Sequence, residues 1–242
     1  MYWDFALILI FLGVAVPLLG RRRVRQLMQL PFTTKEDRLV LYASTIAFQW
    51  IAAGIILWRT AAHGIRGAQF GLAIPLPALT AVLAIALTAL ILFNQVVGLK
   101  RLATQPIANQ GLVPQLAKKL FPQDNVERLA FFALVVTVAV CEEFIYRGFV
   151  QRVFQDLSGG SPYFAVTGSA IFFALAHLYQ GRRGLISTFA VGIVFSTATA
   201  VTLCLLPSII AHFLADFVAG ISAPHYLKSS EISQITAPRS SI

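Results

Sequence analysis

Glu142, Glu143, Arg147, His177, His212 and Asp216 all fall within apolar runs in the second half of the chain. Ionisable groups in such surroundings are costly and mark a function or a partner. In the stretch Cys141-Glu142-Glu143-Phe144-Ile145-Tyr146-Arg147, a helix turning about 100° per residue puts Glu143 and Arg147 on one face, one turn apart. Glu142 turns to a neighbouring face. Glu143 therefore has a counter-ion in its own helix and Glu142 has none. The pair is expected to brace helices, and Glu142 to exchange protons as a general base or acid. His177 closes the run that starts at Phe172, and it stands about as far from the turn expected at Gly159-Gly160 as Glu142 does. An antiparallel hairpin would bring the two to equal depth. His212 and Asp216, four positions apart, share a face of a later helix. Asp216 is expected either to accept from the His212 ring and fix its tautomer or to be protonated.

Two carboxylates and two imidazoles together suit hydrolysis, in which a base deprotonates water and donors stabilise the developing oxyanion. Phe173 shares the face of His177 and is expected to line the site, with Phe172 as packing. Ser187 and Ser196 have no base at helical spacing, and Cys141 points away from Glu142. A serine or cysteine nucleophile is therefore not expected. His63 and His225 stand in connecting and tail segments and are expected to carry no role.

These groups need a scaffold whose solvent is lipid. Of 242 residues, 57% are apolar or aromatic and only 12% are charged, whereas a soluble domain carries about 25% charged residues. A membrane span takes about 20 apolar residues, and such runs cover 2–19, 39–58 and 72–97. A fourth begins near Val126, a fifth covers 162–179, and 184–221 is long enough for two shorter helices broken near Pro207. The fold class is thus all-α, a polytopic membrane bundle of about seven transmembrane helices.

The first run carries Asp4 at its start and Arg21, Arg22, Arg23 and Arg25 directly after it. That charge asymmetry predicts a retained helix with its N-terminus outside, and a cytoplasmic C-terminus after seven crossings of the plasma (inner) membrane. The 19 Lys and Arg against 10 Asp and Glu fall in short clusters between apolar runs, a pattern of topology with no nucleic-acid partner. Between 98 and 124, Pro106, Gly111 and Pro114 punctuate a segment where Leu112, Leu116 and Leu120 recur every four residues, as in an interfacial helix. From Ala223 the tail loses periodicity and is expected to be disordered. The divisions are then 1–125, the N-terminal membrane helices and interfacial segment, 126–222, the chemical core, and 223–242, the tail. Cys141 and Cys204 lie in apolar runs without CxxC spacing, which indicates packing.

The ordered set Glu142-Glu143-x-x-x-Arg147, Phe173-x-x-x-His177 and His212-x-x-x-Asp216 resembles the CAAX-processing and bacteriocin-processing (CPBP, or Abi) intramembrane proteases over roughly 126–221. The resemblance implies a hydrolase cutting a peptide bond inside the membrane, with Glu142 and His177 activating water and His212 with Asp216 stabilising the oxyanion. It implies a protein or peptide substrate in the lipid bilayer, prenylated proteins among the candidates, because the family includes type II CAAX prenyl endopeptidases that remove the last three residues. The family is often labelled metalloprotease, and Glu142, His177, His212 and Asp216 number enough ligands for Zn. HExxH is absent, however, and the same groups can act on water unaided, so a metal-independent or metal-optional site is expected. Two other classes stand beside the protease. One is a non-catalytic immunity or scaffold protein of the same fold. The other is a proton-coupled transporter, against which no internal repeat is visible.

Overall fold

The structure is a computed structural model that describes residues 2–104 and 112–236. Eight helices and no strand occur among the described residues: α1 (Trp3–Gln29), α2 (Lys35–Ala62), α3 (Pro77–Thr104), α4 (Leu112–Leu120), α5 (Asn125–Leu157), α6 (Pro162–Ala176), α7 (Gly181–Thr202) and α8 (Leu206–Thr236). Five apolar stretches are long enough to cross a membrane, in α1, α2, α3, α5 and α7, and the shorter apolar helices are α6 and the Leu206–Ser222 part of α8. Side chains such as Ile85, Phe93 and Leu129 face outward, as lipid-facing surface requires. The chain is a multi-pass membrane protein.

Local signals account for the boundaries. Thr34 caps α2 in a reciprocal pair with Asp37, and Asp124 caps α5 by accepting from the Glu127 amide at 2.9 Å. Both satisfy amides that a helix start leaves open. The turn between α5 and α6 uses Gly159 and Gly160, both at positive φ, where glycine alone is unstrained. The break between α7 and α8 falls at 203–205, just ahead of Pro207, with Leu203 in the left-handed region. The first helix runs through the arginine cluster to Gln29, further than its apolar run. The last helix continues past Ala223 to Thr236, while 237–242, Pro106 and Gly111 lie outside the described residues. The short helix expected around Leu112 and Leu120 is present as α4, with Leu116 buried.

Helix α2 packs on α5, α6 on α7, and α8 on α3. The largest core cluster joins Phe5 and Leu12 of α1, Ile56 of α2, Phe144 and Phe149 of α5, and Phe173 of α6. Polar contacts pin α2 at three levels. At one end Arg38 grips Glu127 of α5 with two bonds, Nε at 3.0 Å and Nη2 at 2.8 Å, and both residues are buried. At the other end Arg59 reaches Asp4 of α1 at 2.8 Å. His63 joins it there, with Nε2 2.9 Å from Asp4 and its ring stacked on Tyr2. His63 is therefore part of an end clamp, contrary to the expectation of no role. Between them Gln49 contacts Glu142.

At about 1.5 Å per residue, the stretch from position 38 to position 59 spans about 31 Å, close to the roughly 30 Å of a hydrocarbon core. Gln49 stands about half-way. The spacing of the end clamps thus sets the level of Gln49 and Glu142 near the bilayer midplane.

Removing one partner of a buried ion pair costs about 3–5 kcal/mol, so Arg38→Met should lower the melting temperature in detergent by several degrees. The double substitution Arg38→Met with Glu127→Met should recover much of the loss. A single variant as stable as the parent would show that this contact does not clamp α2 to α5.

Candidate active site

Regular winding ends in α5 where its two carboxylates stand. Glu143–Val150 form a wide, π-helical segment, a feature that occurs frequently at functional sites. Neighbouring helices support it. Ser169 of α6 donates to the Tyr146 carbonyl at 2.8 Å, and Ser196 of α7 donates to the Ser169 hydroxyl at 3.1 Å. Helix α1 approaches α6 through Gly13 and Gly20, where a Cβ would lie 3.1 Å from the Phe172 ring and 3.8 Å from Tyr179.

A cavity of about 720 Å³ opens among α1, α2, α4, α5, α6 and α8, within the range of about 300–1,000 Å³ usual for ligand sites. Glu142, His177, His212 and Asp216 all line it. Glu143, Arg147 and Phe173 do not; they form a buried layer behind it. Phe173 was expected on the site wall. Instead its ring lies under the Arg147 guanidinium at 3.9 Å and 4.7 Å from the His177 ring. The large apolar ring fills the space between cation and imidazole.

Glu142 accepts at Oε1 from Gln49 Nε2 at 2.8 Å, and its Oε2 is buried without a hydrogen-bond partner among the described residues. Gln49 is not ionisable, so it stands outside the set of charged types that the sequence offers as candidates. A glutamine inside an apolar run was the available signal. It also means that the first half of the chain reaches into the site, so scaffold and chemistry are not separated along the sequence.

His177 stands one residue past α6, and its Nδ1 lies 2.8 Å from the Phe173 carbonyl. A carbonyl only accepts, so Nδ1 is the nitrogen that carries a proton, and in the neutral tautomer Nε2 presents a lone pair. The same bond caps a carbonyl that the helix end leaves open.

His212 sits between two carboxylates, with Nδ1 2.8 Å from Glu143 Oε1 and Nε2 3.5 Å from Asp216 Oδ2. The nearer and fully buried Glu143 holds the ring at Nδ1, while Asp216, the partner that the i, i+4 spacing suggested, stands at Nε2. Interhelical distance was invisible to that spacing. Glu143 Oε1 also accepts from Arg147 Nη1 at 3.1 Å, with both side chains wholly buried. Arg147 Nε and Nη2 and Glu143 Oε2 have no hydrogen-bond partner among the described residues.

A cation needs several ligands directed at one point. Among the described residues no three His, Cys, Asp or Glu side chains converge that way. His212 gives Nδ1 to Glu143 and His177 gives Nδ1 to its own helix, which leaves Nε2 of each as the nitrogen a metal would use.

The fold and the cavity define a multi-pass helical membrane protein that holds acid and imidazole groups at one buried site. Residues 125–218 match the family model for type II CAAX prenyl endopeptidase Rce1-like proteins. The match covers under half of the chain, begins at the first residue of α5 and includes every candidate residue from Glu142 to Asp216, but not Gln49. No curated protein and no solved structure matches the chain.

Arg147→Ala would leave Glu143 buried with only His212 beside it, a defect of the class that costs about 3–5 kcal/mol. Yield and melting temperature in detergent should both fall clearly below those of the parent. An unchanged melt would show that the guanidinium does not hold this layer.

Proposed function

We propose that the chain is an intramembrane endopeptidase that cleaves by water activated between Glu142 and His177. The observation that carries this reading is the state of Glu142: one oxygen tethered by Gln49, the other buried, without a hydrogen-bond partner among the described residues, and beside the cavity that His177 also lines. A water at Oε2 would lose its proton to the carboxylate, with the Nε2 lone pair of His177 accepting its second hydrogen and aiming it. The resulting hydroxide adds to the scissile carbonyl carbon. Glu142 then returns the proton to the leaving amine as the C–N bond breaks.

His212 supports the oxyanion. Its Nδ1–H is spent on Glu143, which leaves Nε2 as the nitrogen directed to the cavity side, and with a proton there it can donate to the developing charge. Asp216 acts through that nitrogen, because an ionised carboxylate beside a growing negative charge would itself oppose the reaction.

The apolar part of the cavity, lined by Leu12, Val16, Leu27, Leu41, Leu116 and Leu120, supports a substrate with a lipid-like chain, such as a prenylated peptide. The basic cluster after the first span supports the plasma (inner) membrane with the N-terminus outside and the C-terminus cytoplasmic.

Glu142→Gln keeps volume and hydrogen bonding but removes the base, so turnover of an internally quenched farnesylated peptide should fall by at least about a hundredfold with the detergent melt close to the parent's. Full proteolysis by that variant would end the assignment. If the site works without metal, prolonged dialysis against a chelator should leave most of the activity, and elemental analysis should find well below one zinc per chain. Stoichiometric zinc, with activity recovered only on its return, would reverse this.

A further inference from the structure

Helix α7 gives no residue to the cavity wall among those described, yet it touches the layer behind that wall. Phe195, 2% exposed, has its ring 6.1 Å from the His212 ring and 5.4 Å from the Arg147 guanidinium. Phe173 of α6 stands 6.2 Å and 3.9 Å from the same two groups. Imidazole and guanidinium thus share two aromatic neighbours, one from each helix. The bond from Nδ1 to Glu143 fixes one point of the His212 ring and leaves rotation about that bond open. Closely packed rings beside it remove this freedom, because protein interiors leave little room for a side chain to turn. The plane they set is the direction in which Nε2 points.

The place of Phe195 depends in turn on its chain neighbour. Ser196, wholly buried, is gripped twice: its carbonyl accepts from Gln151 Nε2 of α5 at 3.0 Å, and its hydroxyl donates to Ser169. A helical carbonyl already serves the amide four residues on, so Gln151 uses the second lone pair and sets the rotation and level of α7 against α5. Gln151 is itself buried, and its Oε1 has no hydrogen-bond partner among the described residues. An apolar side chain of similar volume would avoid the cost of an amide buried with half its capacity in use. The tie to α7 is what the amide does that such a side chain could not.

We propose that Gln151 is a positioning residue: by holding Ser196 it keeps Phe195 against Arg147 and His212, and so fixes the plane of the His212 ring and the direction of its Nε2. The inference rests on the endopeptidase reading for what that nitrogen does, and on the packing alone for where it points. It brings into the site a helix that carries none of the ionisable candidates.

The test uses the full chain in phosphatidylcholine vesicles, with Gln151→Met, Phe195→Leu and the two combined. Turnover of a farnesylated peptide is read beside the nitrogen resonances of histidine-labelled protein without substrate, His212 being assigned by its loss in His212→Gln. Each single variant should lose roughly tenfold in kcat with KM within about twofold of the parent, and should shift the His212 resonances while those of His177 stay in place. The double variant should be little worse than the poorer single one, because both changes act through one ring. If Gln151→Met does not fold, Gln151→Asn, which keeps the amide but falls one methylene short of Ser196, takes its place with the same expected result. Parent-like kcat in the Gln151 variant would overturn the proposal. So would a loss of turnover with the His212 resonances unmoved, or single losses that multiply in the double variant. His212 resonances that shift in both variants of a chain whose parent cleaves no peptide would keep the positioning and reject the endopeptidase.

Discussion

Hydrocarbon supplies no hydrogen bonds, so every polar group carried into it must be met from inside the protein. That constraint organises this molecule around α2. Its Arg38, Gln49 and Arg59 each reach a carboxylate on another helix, at three levels roughly evenly spaced along one axis. The outer two contacts are ion pairs that hold α5 and α1. The middle one is a neutral amide on Glu142, and it belongs to the site. The same device that assembles the bundle thus also fixes the depth at which its chemistry is placed.

Behind the cavity, one fully buried layer stabilises what faces it. Arg147 lies on the Phe173 ring and grips Glu143, and Glu143 in turn holds His212. The layer is closed to the cavity, yet it decides which nitrogen of His212 is left on the cavity side. The wide π-helical segment is what lets α5 serve both layers, with Glu142 forward and Glu143 and Arg147 behind. Its tie to Ser169 and Ser196 keeps that segment registered against α6 and α7.

Much of this was legible in the sequence. Seven apolar runs, the Gly159-Gly160 turn and the break near Pro207 follow from span length and from backbone chemistry that is local to the chain. The meeting of Glu142, His177, His212 and Asp216 on one cavity could be reasoned from spacing and equal distance from a turn. What could not be read are contacts between helices distant in sequence. Arg38 with Glu127, Arg59 with Asp4, and Gln49 with Glu142 each need the topology before they can be paired. The role of Glu143 on His212 escaped for the same reason, since i, i+4 spacing offered Asp216 as the only partner in view. The π-helical segment escaped because a periodicity of 3.6 was assumed through the residues that depart from it.

Adjacent carboxylates on α5 are partnered by groups of opposite temperament. Arginine can only donate, so its bond to Glu143 survives only while that carboxylate is an acceptor. A primary amide is symmetric in this respect. By rotating half a turn, Gln49 offers an oxygen where it had offered an N–H, and it can accept from a protonated Glu142 as readily as it donates to an ionised one. The tether therefore persists through a change of charge that would break a salt bridge, and one glutamate of the two can be loaded and unloaded with a proton while its position in the membrane stays the same.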